Sequence, residues 1–521
     1  RQRQMCIRDS CYTALWTDFE TMTFFLSFDE ASDIGYDRNT SALQTMAQGA
    51  ADANSDLAKN YWKAFYAGIA KCNYLLQNMS RGEDNVAPAT YAQIKAEAQF
   101  LRALYYSYLI ELYGDVPLIT DVLTLETGQQ PRTPKSEVVD FILKEYTEAA
   151  ENLPSTNNPT SGRATKGAAL ALKARTALYN ERWQDAISAS QAVIAMEGTE
   201  YIIEDDYSKL FKYEGQTSKE VIFSVQYLLG TKVHALYRLF GSRNALAHTN
   251  KKPAYQLADT WECIDGKQID KSPMFDPKHP YENRDPRLGY TLAVSGSEFL
   301  GFQFETHGDS TKCWNYMTNQ RVDNLEATHA YATFTGICWR KYANIEDKDA
   351  LNDCDMNTIL IRYPEVLLTY AEAKIKAGEI DASVLEAINK VRQRPSVKMP
   401  PITTTDPNEL FYAVARERKY EFSGEGLRLF DIRRWKIAET VMNQPLLGRM
   451  KKSYPDKAPR IDEWGTAFYE GIPIAESGES ADFKMRVVDI RKFDKNRDYL
   501  WPIPYIERQT NPNLTQNPNY E

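Results

Sequence analysis

Residues 161–198 read SGRATKGAALALKARTALYNERWQDAISASQAVIAMEG. Ala168, Leu172, Ala174 and Leu178 fall on one face of a first helix, and Trp183, Ala186, Ile187, Ser190, Val193 and Ile194 on one face of a second. Asn180-Glu181-Arg182 is the turn between them. Small residues on the facing sides let two helix backbones approach closely, and the aromatic at the start of the second helix fills the crossing. This is the plan of a tetratricopeptide-like hairpin, a unit of about 34 residues that buries its apolar face by stacking on similar units. The fold class that follows is mainly α, with helix hairpins forming an α-superhelical scaffold.

The pattern extends in both directions. Upstream, YAQIKAEAQFLRALYYSYLIELYGD places Ile94, Ala98, Leu101, Tyr105, Tyr108 and Leu112 at spacings of three and four, and Gly114 supplies a left-handed stop. Downstream, a helix reaching Gly378 is followed by ASVLEAINKVRQR, and Asp406, Pro407 and Glu409 form a capping-box arrangement at the head of another helix. GLRLFDIRRWKIAETVM reads as the last long helix, with Leu427, Phe430, Ile437 and Val441 on one face. The segments that result are 11–199 and 356–442, both helical, and 200–355 and 443–521, both rich in turns, Gly, Pro and aromatics with short strand-like pieces such as VIFSVQY. Long irregular stretches inside a packed body carry function more often than they carry architecture, so the ligand surface is expected there.

With 521 residues, a net charge of −9 and a pI near 5.4, the chain is unsuited to nucleic acid or anionic lipid, and no apolar run is long enough to span a bilayer. The motifs of zinc peptidases, nucleotide-binding loops, serine hydrolases and EF-hands are all missing, and SGEGLR is a poor match to a dinucleotide fingerprint because its third glycine is absent. No catalytic residue, metal ligand or cofactor is expected. Seven scattered cysteines show no framework: most read as core thiols, with room for one bridge among Cys313, Cys338 and Cys354. The stretch ARERKYEFSGEGLRLFDIRRWK interleaves acids with bases, which favours a half-buried ion-pair network joining two helices, with Glu425, Arg428, Asp431 and Arg434 as its members, over phosphate binding. In NRDPRL, Arg284, Asp285 and Arg287 are expected to fix a turn.

Several blocks taken together resemble one family. KAEAQFLRALYYSYLIELYGDVPLI, GRATKGAALALKARTALY, NRDPRLGYTLA, IRYPEVLLTYAEA, INKVRQR, RERKYEFSGEGLRLFDIRRW and LWPIPYIERQTNPNLTQNPNYE look like the SusD/RagB family of Bacteroidetes nutrient-binding lipoproteins, in order and over nearly the whole chain. The resemblance implies an oligosaccharide ligand, an outer-membrane, surface-exposed location and a TonB-dependent SusC-like transporter as partner. It also implies a lipid-bearing cysteine ahead of the first helix, which here corresponds to CYTALWTDF. Cys6 in RQRQMCIRDS lacks the apolar run such a cysteine follows, so residues 1–10 are expected to be non-native, adapter-like sequence, with the anchoring cysteine lost.

In that family, ligand contacts come from loops. Tyr36 and Arg38, after FDEASDIG, together with Phe304, Trp314 and Tyr316 from GFQFETHGDSTKCWNYM, are therefore expected to form the binding surface, offering flat apolar faces beside planar polar partners. The alternatives are a glycoside hydrolase on an all-α scaffold and a peptide-binding or interaction scaffold.

Overall fold

The computed structural model describes residues 2–478 and 482–520, with side chains from residue 7, so that Cys6 lies outside the described side chains. The first helical half comprises α1 (Asp56–Asn78), α2 (Pro88–Tyr113), α3 (Lys135–Asn152), α4 (Lys166–Tyr179) and α5 (Trp183–Ile194). The second comprises α6 (Tyr363–Ala377), α7 (Ala382–Arg392), α8 (Pro407–Phe422) and α9 (Arg428–Arg434). Side-chain caps fix several of the starts: Ser55 accepts from Ala58 N, Thr165 from Ala168 N, and Asp406 from Asn408 N and Glu409 N. The capping box at Asp406 is not closed, because Glu409 Oε2 accepts from Thr404 Oγ1 at 2.7 Å.

The α4–α5 hairpin forms as its sequence predicts, with Glu181 turning the chain at φ 59°. Close packing constrains its first turn. A Cβ on Gly167 would stand 1.9 Å from Tyr201 Oη, so this position tolerates no side chain. Helix α2 is buried on nearly every side, and its embedded Arg102 is matched by Glu145 of α3 at 2.7 Å and by Asn73 Oδ1 of α1 at 2.8 Å. One connected apolar core draws residues from Cys11 to Leu514, so all four segments share it.

The loop-rich segment leaves and returns at one place. Strand Val221–Val225 pairs antiparallel with Thr358–Arg362, both wholly buried, and everything between them is a single excursion from the scaffold. The excursion carries a four-stranded antiparallel sheet (Glu298–Phe299, Phe302–Gln303, Lys312–Asn315 and Gln320–Asp323), and its strand Lys251–Pro253 pairs with Gly35–Asp37 of the N-terminal segment.

At the root of the excursion lies a buried lattice of charges. Arg362 contacts Glu220 at 2.9 Å, Glu421 at 2.5 Å and Glu425 at 2.7 Å; Arg394 contacts Glu220 at 2.6 Å and Glu421 at 2.8 Å. Arg287 joins Asp285, Glu417 and Glu421, Arg392 joins Glu262 and Glu417, and Lys341 joins Glu425. Burial pushes the Glu421 carboxyl up, but Arg362, Arg394 and Arg287 outweigh it and hold the group far below the usual carboxylate range. A second layer extends from it: Arg428 pairs with Asp33 at 2.8 Å, and Asp431 accepts from Arg418 and Arg434, both at 2.9 Å, while Arg434 also holds Glu372. The network is thus buried except for partial exposure at Asp33 and Arg434, and it reaches well beyond the two helices that the sequence reading expected a half-buried network to join.

One further expectation is corrected. The helix read over 427–441 is broken after Arg434, because Lys436 adopts φ 58° and Trp435 turns inward to donate to Glu372 Oε1 at 2.8 Å. A short helix, Ala438–Val441, resumes beyond the break. The six cysteines described are free and buried, so no bridge joins Cys313, Cys338 and Cys354.

Removing one member of a buried ion lattice strands the others. Arg362→Met is therefore expected to lower stability by about 3–5 kcal/mol in chemical denaturation. Arg428→Ala, which strands Asp33, shifts the midpoint in the same direction, whereas Arg460→Ala, which breaks an exposed pair with Glu470, leaves it unchanged.

Candidate functional site

The segment that carries Tyr36 and Arg38 is positioned by two buried carboxylates. Asp29 accepts from the backbone amides of Gly424 at 2.8 Å, Gly426 at 3.0 Å and Arg428 at 3.1 Å. The SGEG turn is therefore an anion cradle, and its anion is the protein's own. Gly426 has φ 84° and a Cβ there would stand 2.0 Å from Phe25 O, so the cradle requires glycine. Burial still raises the Asp29 carboxyl to about 6 despite the three amides. Glu30 Oε2 accepts from Tyr36 N and Oε1 from Trp339 Nε1, both at 2.7 Å, and Arg491 Nη2 donates to Gly35 O at 2.7 Å. The strand Gly35–Asp37 is pinned from three sides.

Its register sets opposite neighbours: Tyr36 faces Lys252 and Asp37 faces Lys251, with Lys251 Nζ 2.6 Å from Asp37 Oδ2. Tyr36 is buried, packed with Ala254, Leu446, Phe334 and Val488. Arg38 emerges from the end of the strand, where its Nη1 donates to Tyr331 O at 2.9 Å and its guanidinium stands 5.2 Å from the Tyr331 ring centroid. Arg243 arrives from the other side, donating through Nε to the same carbonyl at 2.8 Å. Tyr331 is 59% exposed, so a ring and two guanidinium groups share one surface.

The aromatics of residues 301–317 divide between core and surface. Phe304 is 2% exposed and meets Phe299 edge-to-face at 6.1 Å, so its faces belong to the subdomain core and are closed to a ligand. Trp314 is half-buried on strand Lys312–Asn315, opposite Arg321, and Tyr316 at the hairpin turn is 47% exposed. This hairpin reaches the Arg38 group through one turn: Asn244 Nδ2 donates to Asp323 O at 2.8 Å, and the adjacent Arg243 holds Tyr331.

Sequence reading missed Tyr331, Arg243 and Lys252. Tyr331 lies in HAYATFTG, an aromatic among turn residues, which is the criterion that selected Trp314. The cations had a plainer signal: residues 221–258 contain no Asp or Glu, yet include Lys232, Arg238, Arg243, Lys251 and Lys252, in a chain whose overall charge is negative.

A cavity of about 790 Å³ lies elsewhere, between the α4–α5 turn and residues 433–436. Phe411, Trp435 and Trp464 in its wall pack against one another at 5.6–6.1 Å and Trp435 donates to Glu372, so these rings serve the packing of the scaffold. The open aromatic and cationic surface at Tyr331 is the better candidate.

A scaffold of stacked helix hairpins, with a loop-rich excursion presenting exposed rings and cations, defines a class of α-helical ligand-capture proteins. Comparison with known proteins then gives the family. The SusD family model matches residues 219–520, and a model described as starch-binding associating with outer membrane matches 14–178. The chain belongs to the SusD family. It is 25% identical to SusD-like protein P2 of Formosa agariphila, over 97% of this chain and 89% of that one. Among solved structures, a SusD-like carbohydrate binding protein from Bacteroides fragilis is 28% identical with a TM-score of 0.83 and 99% of each chain covered. A laminarin binding SusD-like protein shares the fold at 19% identity and a TM-score of 0.73, covering 100% of this chain and 99% of its own.

Burial separates the roles of the loop aromatics. Phe304→Ala is expected to cost about 3–5 kcal/mol in denaturation, the range for an aromatic truncated in a packed core. Tyr331→Ala should leave the unfolding midpoint within about 1 °C, as for an exposed residue.

Proposed function

We propose that this protein captures an oligosaccharide on the surface formed by Arg38, Arg243 and Tyr331, with Trp314 and Tyr316 on the neighbouring hairpin as further contacts, and passes it, uncleaved, to a SusC-like TonB-dependent outer-membrane transporter. The observation that carries the reading is the open face itself: exposed rings beside forked donors, fixed to a rigid scaffold through Asp29 and Glu30. Sugar rings present apolar C–H faces and a rim of hydroxyls, and this combination suits both. Carbohydrate binding by the Bacteroides fragilis relative supports the same class of ligand.

Capture without cleavage is favoured by the state of the nearby acids. Asp37 is ion-paired with Lys251, and Glu326 is 1% exposed with its oxygens accepting from Arg243 N and Thr333 N. Hydrolysis of a glycosidic bond needs two free carboxyl groups flanking it, one of them able to give up a proton. These two are committed to structure.

Delivery needs a docking face, since no helix among the described residues is long and apolar enough to cross a membrane. The helical side offers one. Between α2 and α3 a strap exposes Val122 at 39%, Leu123 at 42% and Leu125 at 100%, and it lines one cleft with Glu507 and Thr510 of the helix Tyr505–Thr510, on which Tyr505 and Ile506 are also exposed. Exposed apolar side chains grouped on one strap are typical of an interface. Placement at the outer membrane, on the cell surface, follows from the same reading.

Gel retention on a panel of polysaccharides, with assay of new reducing ends, tests capture. Retention without new ends is expected; new ends would establish a hydrolase, and neither would leave an interaction scaffold. For the partner, extraction of native outer membranes in mild detergent should bring a TonB-dependent barrel with this protein, and the double change Leu123→Asp, Leu125→Asp should release the barrel while leaving the melting temperature unchanged.

A further inference from the structure

Around Glu421 each buried arginine faces a carboxylate. At the Tyr331 surface none does. Arg38 and Arg243 converge on the single carbonyl of Tyr331, and neither has a carboxylate within ion-pair distance among the described residues. Arg238, nearby, donates to Thr21 Oγ1 at 3.3 Å and likewise has no acidic partner there. Beneath them Lys252 is 0% exposed, its Nζ 4.6 Å from the Phe334 ring centroid and without a hydrogen-bond partner.

Repulsion adds to burial at Arg38, Lys252 and His248. Burial lowers Arg38, with Arg243 the next cause, and burial followed by Arg38 brings Lys252 down to about 7. The neighbouring His248 is lowered by burial and then by Arg238, Arg243 and Arg38 together. Glu326 and Asp37 are the carboxylates that act on these groups, and the cations outnumber them, so the arrival of an anion relieves their repulsion. Arginine forks suit planar or tetrahedral oxyanions, which accept two parallel hydrogen bonds.

We infer that the glycan captured at this face is anionic, bearing carboxylate or sulfate groups that pair with Arg38 and Arg243 while a neighbouring sugar ring lies against Tyr331. The inference rests on the capture reading above and adds the charge of the ligand to it. Arg38 ends a strand pinned by Glu30 and Arg491, and Arg243 is held through its own amide by Glu326, so both cations are positioned before any ligand binds.

The test uses the full chain in affinity gels and calorimetry against polygalacturonate and a carrageenan, each beside its carboxyl-reduced or desulfated counterpart, with starch and laminarin as neutral glycans and polyglutamate as a non-glycan anion. Binding to one charged glycan, weakened at least tenfold by removal of its charged groups and again by raised salt, is expected; which of the two binds tells carboxylate from sulfate. Arg38→Ala and Arg243→Ala should each weaken that binding about tenfold. Arg38→Lys should restore part of it, which separates lost charge from lost fold, and Lys166→Ala, at an exposed cation on α4, should change nothing. Equal or tighter binding of starch or laminarin would overturn the anionic assignment and leave glycan capture standing. Retention of polyglutamate alone, or of nothing in the panel, would overturn both.

Discussion

The Glu421 carboxylate, enclosed by Arg362, Arg394 and Arg287, is the contact on which the architecture turns. Each of these charges is at most 1% exposed, so each would be prohibitively costly alone, and the set is tolerable because every member is matched. Its members come from separate places: Glu220 stands just before the outgoing strand of the excursion, Arg362 closes the returning strand, Arg394 follows α7, and Glu421 and Glu425 lie on and beyond α8. Apolar packing would accept many relative placements of these pieces. A lattice of forked donors and carboxylates accepts one, which is how a long loop-rich excursion keeps a fixed attitude on a helical scaffold.

The same device in a second form builds the binding face. Asp29 uses backbone amides where Glu421 uses guanidinium groups, and Glu30 ties the strand Gly35–Asp37 to Trp339 within the excursion. The site is therefore composed at a junction: its N-terminal part is carried by the scaffold, its Tyr331 and Trp314 part by the excursion, and the turn at Arg243 and Asn244 joins them. Rigid supports explain how exposed side chains such as Arg38 can be pre-aimed at low entropic cost.

Much of this architecture was legible in the sequence, for identifiable reasons. The α4–α5 hairpin and α2 were readable because their apolar spacing is local and periodic. The break at Lys436 was not, because the pattern from Leu427 to Val441 continues through it and the cause is a tertiary hydrogen bond from Trp435 to Glu372. Glu425, Arg428, Asp431 and Arg434 could be recognised as ion-pair material, yet their partners Asp33, Lys341, Arg362 and Glu372 lie far off in the chain, where spacing carries no information. At the site, composition marked the loops but could not tell Phe304, a core ring, from Tyr331, an exposed one, since both sit among turn residues. The absence of acids over 221–258 was the overlooked clue.

The cradle around Asp29 also has a temporal meaning. Its carboxylate and its last amide donor, Arg428, are 399 residues apart, and a chain lengthening at roughly 5–20 residues per second needs on the order of 20–80 s to supply that donor. Throughout that interval the early helices can form and pack, since their contacts are local, while the segment leading to Arg38 lacks its Asp29 anchor. A chain cut short just before the SGEG turn would thus carry Arg38, Arg243 and Tyr331 but lack the cradle that fixes Asp29. The supports of the binding face are therefore complete only once the SGEG turn has been made.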